Sequence, residues 1–161
     1  MTLDNRSRRI VVGYDGSPAS QAALARAAER AGDHGRVYVV HAYSLPHDWV
    51  GSPDYQRVLD VVLDRAQATV KPLEGDAGAS LRGVDWEAEV IADRPAQAIA
   101  AVAAAREADE IIVGTRGFGR ARALLGSVAH ELIHLAECPV TVIPERAVEL
   151  AEQRANALVA S

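Results

Sequence analysis

The chain has 161 residues, of which 49% are hydrophobic and 24% charged, with a formal net charge of -5. That length suits one compact domain with a real core, which excludes a disordered chain, and the acidic balance excludes a general nucleic-acid binder, which needs surplus Lys and Arg to displace counterions from phosphate. No stretch approaches the ~20 apolar residues of a membrane span, residues 1–9 lack the apolar centre of a signal peptide, and the one cysteine, Cys138, cannot close an internal disulfide, so a cytoplasmic chain is expected.

Residues 10–14 form a short apolar run that ends in Asp15-Gly16-Ser17-Pro18. Ser17 suits a helix N-cap and Pro18 the first helical position, because proline has no N–H to leave unpaired there. Leu24, Ala27, Ala28 and Ala31 then recur at helical spacing, and Gly32 closes the segment. Residues 37–42 are a second apolar run. After a loop with Pro46, Gly51 and Pro53, the spacing predicts a longer helix with Tyr55, Val58, Leu59, Val62 and Ala66 on one face. Residues 75–83 read as a loop. Val84, Trp86, Ala88 and Val90 alternate with Asp85, Glu87 and Glu89, the period of a half-exposed strand. Pro95 opens a helix with Ala96, Ile99, Ala100 and Ala103 turned inward. Residues 111–114 are a fourth strand, 126–136 a fourth helix and 140–143 a fifth strand between Pro139 and Pro144.

Alternating strands and helices imply a single-domain α/β fold with a parallel sheet, right-handed crossovers and helices on both faces, Rossmann-like in plan. The first, second and fourth strands are apolar throughout, as buried strands are, whereas the third alternates and suits an edge. The strand order expected is 3-2-1-4-5. It places the topological switch between strands one and four, where ligands bind outside the carboxyl ends. Residues 1–8 read as a flexible N-terminus, 9–145 as the domain and 146–161 as a helical tail.

Gly114-Thr115-Arg116-Gly117 leaves the fourth strand, and Gly126-Ser127 opens the fourth helix. Glycines let backbone approach an anion, and the free N–H groups and dipole of a helix start favour negative charge. Arg116, Arg120 and Arg122 add three positive charges with no acid among them. The competing reading is a glycine-rich surface loop whose arginines face water. Asp15 likewise has two readings: a turn-and-cap residue, or a ligand group at the switch.

Gly114-x-x-Gly117 followed at a distance by Gly126-Ser127 resembles the nucleotide signature of the universal stress protein family, in its ATP-binding subgroup. The opening run 10–17, the Val40-His41 strand end and the segment 138–144 are similar to that family in the same order. The resemblance implies ATP or another adenine nucleotide, with Mg²⁺ as its common companion, and a homodimer joined through the fifth strand. It implies that Asp15 and Ala42 border adenine and ribose, with Gly13 and Tyr14 as the adjoining wall. Val113, Gly114, Thr115, Arg116, Gly117, Gly126, Ser127 and Val128 would surround the phosphates, with Gly119 and Arg120 added from the loop. The spacer 118–125 has eight residues where the family has nine, a departure that bears on the triphosphate groove.

His130-Glu131-Leu132-Ile133-His134 spells the H-E-x-x-H of zinc proteases. At 3.6 residues per turn, however, Val128, Leu132 and Leu135 share one face and the histidines lie nearly opposite, facing solvent. That argues against the protease reading, for which Glu149 and Glu152 downstream have no scaffold to bring them back, and leaves adventitious metal binding by the pair. Cys138 and Trp86 read as core residues, and Trp49 as a cap on the pocket or a contact for a partner. A receiver-type phosphoacceptor is disfavoured, because such domains gather several acids around one metal and carry a lysine after the last strand, where this chain has Glu145-Arg146. Three functions follow: a nucleotide-dependent stress regulator, a slow ATP hydrolase or nucleotide transferase, and a structural dimer without ligand. For the second, only His41 stands near as a base, and a packed histidine is its plainer reading.

Overall fold

A computed structural model describes residues 7–45, 47–115, 125–144, 146, 147, 153, 156, 157, 159 and 160. Five parallel strands, β1 (Arg9–Gly13), β2 (Arg36–Tyr43), β3 (Asp85–Ala92), β4 (Glu110–Gly114) and β5 (Val140–Ile143), form one sheet in the order β3-β2-β1-β4-β5. The expected order and edges hold. Helices α1 (Pro18–Ala31) and α2 (Tyr55–Val70) cover one face, and α3 (Pro95–Ala105) and α4 (Ser127–Leu135) the other. Among the described residues no helix is long and apolar enough to cross a membrane.

The sheet splits the core because successive strand side chains point to opposite faces. Ile10, Val12, Val37, Val39 and Ile112 join Leu24 and Ala27 of α1 on one side. Val11, Val40, Ile111 and Val113 join Ile99 and Val102 of α3 and Leu132 of α4 on the other. The first helix starts and stops as its sequence dictates: the Ser17 side chain accepts from Ser20 N–H, and Gly32 takes φ 60° at the C-cap. One buried charge fastens the far end of the sheet. The Glu110 carboxylate accepts from Arg30 at 3.0 Å and from the Thr141 hydroxyl, joining α1, β4 and β5.

Several expectations require correction. Residues 75–83 are wound, not an open loop: 3-10 turns run through Lys71–Glu74 and Asp76–Leu81. Leu73 and Leu81 are both buried there, plugging the open end of the core beneath α1. On α4 the inner face is Ala129 and Leu132, while Leu135 is 44% exposed, because the helix ends as that residue passes the sheet edge. On β3 Ala88 is exposed and Glu87 and Glu89 are half-buried, a departure from simple alternation, while Val84 and Trp86 pack on the core as expected. Glu87 accepts from Arg36 at 2.8 Å and Glu89 from Arg106 at 2.8 Å, and both guanidinium groups lie over the Tyr38 ring. Paired carboxylates can therefore take the inward side of an edge strand. On α3 Ala98 and Val102 are buried and Ala100 only partly, because an alanine-rich helix packed by both sheet and α4 has a broad apolar face. Trp86 packs on the first core as expected; the Trp49 side chain lies outside the described residues.

Cys138 is half-buried, less enclosed than expected. Burial pushes its thiol pKa up, and the charges of Asp109 and Glu110 push the same way. At pH 7.5 iodoacetamide should alkylate it at least about tenfold more slowly than the unfolded chain. The raised pKa also means that the folded state holds this proton after the unfolded state has released it. Stability is then complete below the thiol's ordinary range and declines as pH rises through it. Urea midpoints measured against pH should show that decline, and Cys138→Ala should remove it; a thiol alkylated at the free rate would contradict the assignment.

Candidate functional site

β1 and β4 run side by side, Val12 opposite Ile112. Beyond their tips the chain goes on to α1, which packs on one face of the sheet, while α4 packs on the other. The crevice this opens is unusually close at its base. A Cβ on Gly13 would lie 2.6 Å from Ile99 Cδ1 and 2.9 Å from Val113 Cγ1, and one on Gly114 would lie 2.7 Å from Ala19 Cβ and 3.0 Å from the Ala19 carbonyl carbon. Glycine at both strand ends is thus demanded by packing, whatever binds above.

The wall on the β1 side is a hydrogen-bonded turn. Tyr14 N–H donates to Val40 C=O at 2.9 Å, and His41 Nδ1 lies 2.9 Å from Tyr14 C=O. A carbonyl only accepts, so His41 carries its proton on Nδ1. The Tyr14 side chain turns away into the core, 5% exposed, and its hydroxyl accepts from Gln21 Nε2. Burial raises the Tyr14 pKa, the Asp15 charge adds to the rise, and the Gln21 hydrogen bond opposes it. Asp15 Oδ1 accepts from Ser17 N–H at 2.9 Å, and Ser17 Oγ from Ser20 N–H at 3.2 Å. The start of α1 is capped by its own side chains.

Among the described residues no side chain caps the start of α4. Gly126 occupies its N-cap and has no side chain to accept from the first turn. Ser127 is exposed there, and the helix's own ladder begins with His130 N–H donating to Gly126 C=O at 2.9 Å. The first N–H groups of such a helix point outward, and the helix dipole adds positive potential. The segment before it is closed at its base: Thr115 N–H donates to Ile143 C=O at 2.9 Å, and Gly126 N–H to Thr115 C=O at 2.7 Å. The entry and exit of residues 116–125 are therefore held together beside β4.

Of the residues singled out from the sequence, Gly13, Tyr14 and Asp15 end β1, Ala42 lies near the end of β2, and Val113, Gly114 and Thr115 end β4. The Thr115–Gly126 hydrogen bond brings Gly126, Ser127 and Val128 to the same edge of the sheet. Val113 is buried, and Ala42 and Val128 pack against the second core. Arg116, Gly117, Gly119, Arg120 and Arg122 lie outside the described residues. Missed in the sequence were the His41–Tyr14 bond and the Thr115–Gly126 tie. Both run through backbone carbonyls, which leave no mark on residue type.

A second depression, about 670 Å³, lies between α2 and β3 and is lined by Gln67, Lys71, Trp86 and three acids, Asp64, Glu74 and Glu87. Its acidic lining makes it a poor place for phosphate. The histidines of α4 face solvent as expected, and Glu131 between them is held by Arg94 at 3.0 and 3.2 Å and by Gln97 at 3.3 Å. Among the described residues no group of three or more His, Cys, Asp or Glu could hold a metal ion.

The profile of the universal stress protein family matches residues 6–144. The chain belongs to that family. A universal stress protein of Thermus aquaticus is 38% identical over 84% of this chain and 98% of its own length. Another, from Methanocaldococcus jannaschii, is 31% identical over 87% of this chain and 84% of its own. The fold is similar to that of the universal stress protein UspA of Lactobacillus plantarum, with a TM-score of 0.70 over 87% of this chain and 99% of that one at 22% identity. Two universal stress proteins solved with ligands are each 26% identical to this chain. One, in complex with cAMP, has a TM-score of 0.54 over 86% of this chain and 97% of that one. The other, from Archaeoglobus fulgidus in complex with dAMP, has a TM-score of 0.52 over 84% of this chain and 97% of that one. The expectation of a universal stress protein domain, made on the glycine signature and the strand ends, holds.

Proposed function

We propose that this universal stress protein binds an adenine nucleotide, ATP in particular, in the crevice between the ends of β1 and β4, and that occupancy alters what a cytoplasmic homodimer does under stress. The observation that carries the reading is the uncapped start of α4, tied through Gly126 and Thr115 to the tip of β4. Outward N–H groups beside a glycine-rich segment are what a phosphate requires. The cAMP and dAMP complexes of two relatives support adenine as the base. In this reading Asp15, Ala42, Gly13 and Tyr14 border the nucleoside. Gly114, Thr115, Arg116, Gly117, Ser127 and Val128 surround the phosphates, with Val113, Gly119, Arg120 and Gly126 around them. Mg²⁺, where present, would be held by phosphate oxygens and water.

Residues 9–145 are the working domain in this proposal and 146–161 an appended tail. Dimerisation is assigned to β5, an edge strand whose four residues are all half-buried, beside the exposed Ile133 and Leu135 of α4. Denaturing the freshly purified protein and weighing what it releases tests the ligand. An adenine nucleotide is expected. A chain that comes out empty, and whose Asp15 and Ser127 amide signals stay unmoved at millimolar ATP, AMP and cAMP, ends the proposal.

A further inference from the structure

The outer face of α4 carries two groups that the nucleotide reading leaves idle. His130 and His134 are one turn apart and both exposed, with ring centres 5.3 Å apart and ring planes at 71°. A late first-row divalent ion sits about 2.0–2.1 Å from an imidazole nitrogen, hence about 3.2 Å from the ring centre. Two imidazoles bound side by side on one tetrahedral or square ion therefore have centres roughly 4.5–5.2 Å apart. The two rings already stand close to that separation, and rotation about exposed side-chain bonds covers the difference.

The carboxylate between them is withdrawn from the pair. Both Glu131 oxygens are engaged by Arg94, and Gln97 also donates to Oε2, against α3. The donors left on this face are imidazole nitrogens, which suit copper, nickel and zinc and not the hard ions magnesium or calcium. We propose that His130 and His134 form a two-point surface chelate for a late first-row divalent ion, with water in the remaining positions. The site is separate from the nucleotide crevice and does not depend on it. Because it bridges one turn of α4, occupancy stabilises the folded chain more than the unfolded one, in which the two imidazoles are not held together.

The test is titration of the untagged full-length chain with nickel or copper chloride by calorimetry, paired with thermal melts. One equivalent is expected to bind. His130→Ala and His134→Ala should each weaken binding by about tenfold or more, because the second metal bond is intramolecular and its loss removes the gain in effective concentration. His47→Ala, which changes an exposed histidine elsewhere, should bind as the parent does. Saturating metal should raise the melting temperature of the parent and leave that of His130→Ala/His134→Ala unmoved. Copper bound by the parent should show two coordinating nitrogens by electron paramagnetic resonance. Both histidines are exposed, so the variants should fold, and circular dichroism checks that they do. Equal affinity in parent and double variant, or a single variant that binds like the parent, overturns the chelate.

Discussion

Gly114→Ala is expected to lower the stability of the ligand-free protein by about 1–3 kcal/mol, or about 2–12 °C in melting temperature. The added methyl would lie 2.7 Å from Ala19 Cβ and 3.0 Å from the Ala19 carbonyl carbon. Ala19 is the second residue of α1, whose start is held by the Ser17 cap, so backbone and not a swinging side chain must move. The same substitution at Gly13 meets the terminal carbons of Ile99 and Val113, side-chain atoms and not backbone, and should cost less. Ala19→Gly removes the nearer of the two contacts. It should recover part of the loss in the double variant beyond additivity, the backbone contact accounting for the rest. Melts followed by circular dichroism decide it. A Gly114→Ala protein that melts with the parent, or a larger loss at Gly13, would show that α1 does not press on β4 as described.

That glycine also marks how far residue type alone reports on structure. In the sequence Gly114 reads as part of a phosphate signature; in the fold it is also the point where α1 crosses β4, and one residue answers to both constraints. Features written in local chemistry were legible. Ser17, Pro18 and Gly32 bound α1 because a hydroxyl cap, a fixed φ and a positive φ are properties of single residues. The strand order followed from which strands are apolar throughout. Features decided between distant segments were not. Leu73 and Leu81 wind residues 75–83 into the core only because the space under α1 is open. Glu87 and Glu89 turn half inward only because Arg36 and Arg106 wait across the sheet edge. For the site, the strand tips and the glycine signature were visible, whereas the bonds that draw the pieces together run through the carbonyls of Tyr14, Ile143 and Thr115.

The two helix starts at the crevice divide the labour between fold and ligand. At α1, Asp15 and Ser17 satisfy donors with side-chain oxygens, so an arriving anion would find acceptors already in place and a carboxylate nearby. At α4, glycine in the cap position leaves the first turn to whatever stands in front of it. Under the proposed function an anion would be drawn to the α4 side of the gap and kept off the α1 side, which would orient a nucleotide with phosphates toward Ser127 and its neutral end toward β1 and β2.

Gly117→Asp should then give the opposite pattern to Gly114→Ala: an unchanged melt without ligand and lost binding. In the proposed function residue 117 lies against phosphate, and a carboxylate there sets like charges close together. At about 4 Å and an effective dielectric near 20, that repulsion is about 4 kcal/mol before screening, so an affinity loss of at least about 100-fold is expected. Purified Gly117→Asp should emerge empty where the parent releases adenine nucleotide. Gly117→Ala, which adds bulk without charge, should retain more, and raising salt should narrow the gap between the two variants, because exposed charges are screened within about 3 Å at 1 M. Excess ATP should raise the melting temperature of the parent while leaving Gly117→Asp where it was. If Gly117→Asp binds as the parent does, the phosphates lie elsewhere. If it is empty but also unstable without ligand, residue 117 serves the fold, and the uncapped start of α4 alone must hold the anion.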